Sequence, residues 1–583
     1  MLRAVALKRA ALAGIAGAAV WEVLLRSAIL AGVPVFDIVQ ALGRLAVRDA
    51  GAATWWPIGM TAHALVGVCW AVFYAYFGWS RLPFRPPLQG LMLSAVPAVL
   101  ALFIVGPQLR LMMLGAEQVE LTLAMLRPEL APLQLVGLLA GHAIFGLVVG
   151  TLYTHPAGYR ADRPPAIHIR RSHSRAAAGR QKPENGFIFA TGIENSYPTI
   201  EEGRWRRDEM FEASHYEFWQ RDFELSREIG ATHLRYGPPL HLVFEGPGRY
   251  RWDLVDDPMA ELEANGPEPI VDLCHFGLPN WLGDFQNTEI VDALGEYAAA
   301  FVDRYPWVRF YTPVNEMYVC ARMSALDGLW NEQRRDERSF MTAVFNLAGA
   351  NVAMSDAILG ARPDAVFVNS ESSEFYQPCC PDEDVVARAE LENERRFLPL
   401  DLLYAHDVSD RMLGYLREHG CEEEYRRFRA REVPKRSVLG VDYYEWNEKL
   451  IDRDGEPRAL GELFGWSVIA NQYWQRYRKT MMHTETNRVD AQDAPRWLWR
   501  QWHNVQLLRT SGVPLIGFTW YSLTDQLDWG NGLREPNGRV DPTGLFDLNR
   551  DPRAVGLAYK HLIDMHRDAP AFRDCAALKE LLA

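Results

Sequence analysis

The chain has 583 residues, 49% of them hydrophobic, and a net charge of −13, so it is too long for one ordinary domain and apolar enough to bury a large core. Basic residues outnumber acidic ones up to about residue 182 and the balance reverses beyond it; this reads as a membrane-apposed piece joined to an acidic soluble one, with no basic cluster in the acidic part to suit nucleic acid. The 7 cysteines are scattered, with no CxxC or Cys/His ligand spacing, which excludes a disulfide framework and a zinc site; no metal or cofactor is expected.

In chain order, four apolar stretches come first. Residues 57–79, 88–109 and 133–154 have the length and hydrophobicity of membrane spans. The stretch 10–35 is apolar but carries Glu22 and Arg26 one helical turn apart, so it either pairs them inside a bundle or lies at the interface. Four spans are favoured over three. Arg3, Lys8 and Arg9, then Arg81 and Arg85, then seven basic residues from Arg160 to Lys182 fall on one side of four spans. The positive-inside rule makes that side cytoplasmic in an inner, plasma-type membrane, with the C-terminal part on it. "AHALVG" (62–67) and "GHAIFG" (141–146) look alike and hint at a duplicated two-helix unit. The sharp reading has His63 and His142 binding haem or relaying protons; the bland one, favoured, has each imidazole bonding a neighbouring helix. The boundaries read as 1–155 for the helical membrane domain and 156–185 for a basic, flexible linker lying on anionic headgroups.

From 186 to 583, eight short apolar runs alternate with helical patterns: 187–191, 232–236, 269–276, 309–314, 365–370, 437–444, 480–485 and 514–520. This predicts an α/β (β/α)8 TIM barrel following the all-α membrane domain. A doubly wound sheet is disfavoured, because no Gly-rich phosphate turn follows any run. In such a barrel chemistry sits at the C-terminal strand ends, which here are Arg235, His275, Asn315, Glu316, Glu371, Tyr444, Glu485 and Trp520. Two Glu on the fourth and seventh runs can face each other across one mouth. Glycoside cleavage needs such a pair: an acid to protonate the leaving oxygen and a carboxylate at the anomeric carbon. An amide beside the acid, Asn315, can bond the sugar 2-hydroxyl, and Arg235 can keep Glu485 ionised while that charge raises Glu316.

"TPVNE" (312–316) resembles the Thr-x-Asn-Glu-Pro motif of family 1 glycoside hydrolases, the β-glucosidase-like members of clan A. "HTETN" (483–487) is similar to their Thr-Glu-Asn-Gly nucleophile motif, "HFGLPNWLGD" (275–284) to their third-strand His-Trp-x-Leu-Pro segment, "LGVDYY" (439–444) to Leu-Gly-x-Asn-Tyr-Tyr, and "YSLTDQLDW" (521–529) to Trp-Ser-Leu-x-Asp-Asn-Phe-Glu-Trp. The resemblance implies Glu316 as acid/base and Glu485 as nucleophile. It implies sugar contacts from His275, Asn315, Tyr444, Trp520, Asp528 and Trp529, and support of the nucleophile from Arg235 and Tyr444. Departures are Met317 for a proline, Asp442 for an Asn, Tyr521 for a Trp, Asp528 for the Glu that grips outer sugar hydroxyls, and Glu194 or Asn195 where a Gln is usual. Glu371 reads as a support or a rim residue rather than a second acid, and His483 as facing the same side as Glu485.

The expected function is a membrane-anchored retaining β-glycosidase, hydrolysing or transglycosylating a β-glycoside carbohydrate or glycolipid at the bilayer. The competing readings are a non-catalytic sugar-binding scaffold in a polysaccharide or glycolipid assembly, and a transporter or redox role for the helices.

Overall fold

The computed structural model describes residues 7–33, 35, 37–47, 51–79, 84–105, 131–153, 157–167, 169, 186–455 and 457–583. Arg3, Arg81 and the basic run from Arg170 to Lys182 lie outside them. The described chain falls into two compact units, Met1–Pro156 with Asn537–Val540 and Ala157–Pro536 with Asp541–Ala583.

The first unit is helical. Leu7–Leu30, Ala52–Phe77, Pro86–Val105 and Leu135–Tyr153 are each long and apolar enough to cross a membrane. A fifth helix of that kind, Glu337–Ala361, belongs to the second unit and is 61% buried there, so its apolar residues are core. Close packing in the first unit relies on missing side chains. A Cβ on Gly14 would stand 2.6 Å from the Gly67 carbonyl oxygen, and one on Gly67 would stand 2.7 Å from that of Gly14, the small-residue contact by which apolar helices approach. The one-turn pair predicted in the first helix forms: Arg26 Nε donates to Glu22 Oε1 at 2.5 Å. The same guanidinium also clasps Asp37 at 2.7 and 2.9 Å, and Asp37 caps the short helix Ile38–Ala46.

His63 and His142 differ from the favoured expectation. His142 shares a 2.9 Å hydrogen bond through Nδ1 with Leu138 of its own helix. Both imidazoles meet the indole of Trp21 edge-on, with centroids 5.3 and 4.7 Å away. Both imidazoles thus meet a neighbouring helix through the Trp21 ring rather than through a hydrogen bond.

The second unit holds eight parallel strands: β1 Ile188–Ile193, β2 His233–Tyr236, β3 Glu268–Asp272, β4 Phe310–Thr312, β5 Val366–Ser372, β6 Ser437–Asp442, β7 Thr480–His483 and β8 Leu515–Trp520. Each pairs with the next in chain order and β8 closes onto β1. All eight coincide with the apolar runs of the sequence. Alternation along β1 shows why those runs are apolar throughout. Ile188 and Ala190 point into the barrel with Ile270, Val366, Val438 and Met482. Phe187 and Phe189 join the larger core between the strands and the outer helices. Burial on both faces removes the usual polar alternation. Cys575 and Leu578, at and in the last helix, pack against the inner cluster.

Part of the segment read as linker is structured. Tyr159–Arg160 pairs antiparallel with Trp205–Arg206, and the Tyr159 hydroxyl donates to Asp208 at 3.0 Å.

The loop after β8 is fastened to the first barrel helix by a buried ion pair. Arg550 donates to both oxygens of Asp222 at 2.8 and 3.0 Å, and His215 Nδ1 meets the same carboxylate at 2.8 Å. All three side chains are almost fully buried. Removing one partner strands the other without water. Arg550→Met is expected to destabilise the barrel by about 3–5 kcal/mol, and Arg550→Met with Asp222→Leu by less than the single change. Thermal melting of the three variants checks this, and equal losses for single and double would contradict it.

Candidate active site

The mouth of the barrel forms where its strands end. β2 contributes Arg235, whose guanidinium is fully buried. Its Nη1 donates to Glu485 Oε1 at 2.6 Å and to the Thr484 carbonyl at 3.1 Å. Nη2 donates to Asn315 Oδ1 at 2.8 Å, and Nε lies 2.6 Å from Glu194. Glu485, just beyond β7, receives its second bond from the Tyr444 hydroxyl at 2.6 Å. Tyr444 is held flat against Trp446, with centroids 4.9 Å apart.

Glu316 comes from the turn after β4. Its backbone adopts φ 41, the left-handed region, which a non-glycine residue enters at a cost of about 1–3 kcal/mol. Two contacts hold it there: its N–H donates to the Ser370 carbonyl of β5 at 3.0 Å, and the helix Met317–Ala321 starts directly after it. Glu371 braces that helix by accepting from the Tyr318 N–H at 3.1 Å, the supporting place expected of it.

Glu316, Asp442 and Glu485 each present a carboxylate oxygen, and these oxygens lie within 4.8 Å of one another. The two Glu differ in charge state. Burial would push Glu485 up, but Arg235, with His275, Glu194 and Tyr444, holds it below the usual carboxylate range. Among the described residues, no cation is paired with Glu316. Burial, then the charge of Glu485, push it well above that range, and Asp442, Glu371 and Glu374 add to this where they are ionised. The site thus pairs a carboxylate with a carboxylic acid.

The other expected residues divide. His275 is buried, and its Nδ1 meets Asp272 at 2.8 Å. Asn315 turns its oxygen to Arg235, leaving Nδ2 without a partner among the described residues. Such a donor suits a sugar hydroxyl. Trp529 is half-buried, and its indole N–H also lacks a partner among the described residues. Asp528 is buried 3.3 Å from Arg207, which is itself clasped by Glu212 at 2.6 and 2.8 Å.

Trp520 does not join the mouth: it packs in the outer core and its indole N–H donates to the Thr543 carbonyl at 2.9 Å. Tyr521 faces the site instead, donating to the Glu194 carbonyl at 3.3 Å. His483 also departs from expectation. β7 ends at this residue, so alternation does not carry through to Glu485. Its ring stacks on Trp466 at 4.1 Å, and burial pushes it down to about 3, so it is a neutral core histidine.

Asp272 escaped the sequence reading although it binds His275 and lies 3.7 Å from Arg235. The signal was present: an acid inside an otherwise apolar strand run.

Comparison with known proteins bears on the fold of this unit. Residues 201–449 match the model of glycosyl hydrolase family 1. That stretch of the barrel is a glycosyl hydrolase family 1 domain. A 1,4-β-D-glucan glucohydrolase of Thermotoga neapolitana is 22% identical over 392 residues, covering 60% of this chain and 86% of the relative. A β-galactosidase of Saccharolobus solfataricus is 24% identical over 309 residues, covering 47% and 62%. Among solved structures, the β-glucosidase of Thermotoga maritima in complex with deoxynojirimycin superposes with a TM-score of 0.55 at 18% identity, covering 65% of this chain and 98% of that one.

Burial raises the Glu371 carboxyl to about 8, from about 4.3 in an unfolded chain. Between those values the folded family 1 barrel binds more protons, so the stability Glu371 contributes is complete below about pH 4 and is lost as pH rises through 8. The melting temperature is expected to fall from pH 5 to 9, and Glu371→Gln to flatten that fall. An unchanged slope in the variant would refute the assignment.

Proposed function

We propose that the barrel is a retaining β-glycosidase, with Glu485 as nucleophile and Glu316 as acid/base. The observation that carries this is the pair of carboxyl groups with oxygens within 4.8 Å and opposite charge states. Retaining enzymes hold their carboxyls about 5–5.5 Å apart, whereas inverting ones leave about 6.5–9.5 Å for a water. Glu485 attacks the anomeric carbon while Glu316 gives its proton to the leaving oxygen. Esterification of Glu485 removes its negative charge, which lowers the proton affinity of Glu316 and readies it as base. Glu316 then takes a proton from water, or from an acceptor alcohol in transglycosylation, as the new bond forms and Glu485 departs. Arg235 and Tyr444 keep Glu485 ionised and aimed, and Asn315 Nδ2 and His275 fit the sugar hydroxyls beside it.

The helical unit supplies membrane anchoring in this reading, with the barrel on the cytoplasmic side and a membrane-proximal glycan or glycolipid as substrate. The four apolar helices and the flanking basic residues support it.

Glu485→Gln is expected to lower turnover of aryl β-glycosides by on the order of 10⁴-fold or more. Glu316→Gln should lower it by about 10²–10⁴-fold, less on activated leaving groups that need no acid. A 2-deoxy-2-fluoro glycoside should attach to Glu485, read by peptide mass. Binding without attachment would favour the sugar-binding scaffold instead. The outer grips also differ: Glu194 and Asp528 are committed to Arg235 and Arg207. Aryl β-glucoside and β-galactoside should therefore be turned over with kcat/KM within about tenfold of each other, under ~1.4 kcal/mol of discrimination. A larger gap would show that another group reads the C4 hydroxyl.

A further inference from the structure

We propose that Asp442 stores a second proton beside the Glu316/Glu485 pair and turns it toward Glu316 when that residue becomes a carboxylate, acting as a positioning residue. The inference rests on the double-displacement reading above. Asp442 ends β6 and is fully buried. One of its oxygens is within 4.8 Å of oxygens on both Glu316 and Glu485. Oδ2 accepts from the Ser370 hydroxyl at 2.6 Å, Oδ1 is buried with no well-formed hydrogen bond among the described residues, and the Thr484 hydroxyl also acts on this carboxyl.

Glu316 stands beyond β4, Glu371 and Glu374 on and beyond β5, Tyr444 beyond its own strand, Glu485 beyond β7, and Arg235 on β2. Arg235 spends Nε on Glu194, Nη1 on Glu485 and Thr484, and Nη2 on Asn315. Lys449 is taken by Glu374. Among the described residues no cation forms an ion pair with Asp442 itself, and a buried charge without one is costly. Burial and the Glu485 charge push its carboxyl well above the usual range, against the pull of Arg235. The proton belongs on Oδ1, because Oδ2 already accepts from Ser370.

At rest the set is then Glu316 protonated, Asp442 protonated and Glu485 ionised. The Glu316 proton leaves with the aglycone oxygen, and the O–H of Asp442 stabilises the new Glu316 carboxylate. Water then returns a proton to Glu316, its hydroxyl goes to the anomeric carbon, and Glu485 is released as carboxylate. The Asp442 proton does not leave. Above its own titration Asp442 becomes a third negative charge among the reacting groups, so activity depends on two protons where the pair alone needs one.

The test uses the full chain in detergent, with an aryl β-glycoside, as wild type and as Asp442→Asn. In Asp442→Asn a neutral amide donor replaces the acid, and kcat should fall about fivefold, since an amide donates more weakly to a carboxylate. The alkaline limb of log kcat against pH should steepen toward a two-proton slope in wild type and keep a one-proton slope in the variant. The infrared difference spectrum, wild type minus variant at neutral pH, should contain a carboxylic-acid carbonyl band. In wild type alone that region should also lose intensity as the alkaline limb is crossed, a reading that does not depend on how the variant folds. Equal slopes with no difference band overturn the proposal. A band in a wild type that turns over no glycoside and takes no 2-fluoro label would sink the glycosidase reading while leaving the stored proton supported.

Discussion

The bond between Arg235 and Glu485 is the contact on which the rest of the site depends. A guanidinium buried without water must meet carboxylates, and Arg235 meets two at 2.6 Å. That contact keeps Glu485 ionised in a place where burial alone would neutralise it. An ionised Glu485 in turn makes a second charge within 4.8 Å unfavourable, so Glu316 retains its proton. One cation, placed on a strand, thereby divides two chemically similar side chains into an acid and a base. The same side chain orients Asn315 through Nη2, so the amide that suits a hydroxyl and the carboxylate that suits the anomeric carbon are fixed relative to one another.

Local strain at Glu316 fits this account. A strand continued through residue 316 would send its side chain into the barrel wall or its core. The left-handed turn at φ 41 redirects the carboxyl to the mouth. The surrounding structure offsets the cost with the Ser370 carbonyl below and the Glu371 carboxyl at the start of the next helix. Strain of this kind survives only where neighbours determine the conformation more than once.

Much of the barrel was legible in the sequence because all its strands are buried on both faces, so each appears as a bounded apolar run. The acids at their ends stood out for the same reason: Glu316 and Glu485 interrupt apolar stretches. What the sequence hid was direction. Trp520 and Tyr521 are neighbours, and only where β8 ends decides which faces the mouth; Trp520 turned to the core. His483 failed similarly, because β7 stops before Glu485 and the period of two stops with it. Asp272 and Glu194 were hard to rank since their worth lies in contacts with Arg235, which comes from another strand. Tyr159 lay in a stretch rich in Pro, Gly and Arg, a composition that describes a linker well and carries no trace of its strand partner Arg206.

The charge balance of the mouth also constrains what the proposed enzyme handles. Glu194, Asp272, Glu316, Asp442 and Glu485 gather around one guanidinium, and Arg207 at the outer end already faces Glu209, Glu212 and Asp528. A sugar bearing a carboxylate or phosphate would enter a site whose cations are committed and whose remaining groups are acids or their conjugate anions, with little water to screen them. Seating it would require displacing an existing ion pair, which leaves a buried charge behind. A neutral sugar incurs neither cost, since hydroxyls donate to carboxylates and accept from Asn315 Nδ2 and the Trp529 N–H. In the proposed glycosidase, the electrostatics that separate Glu316 from Glu485 therefore also favour an uncharged ring beside them.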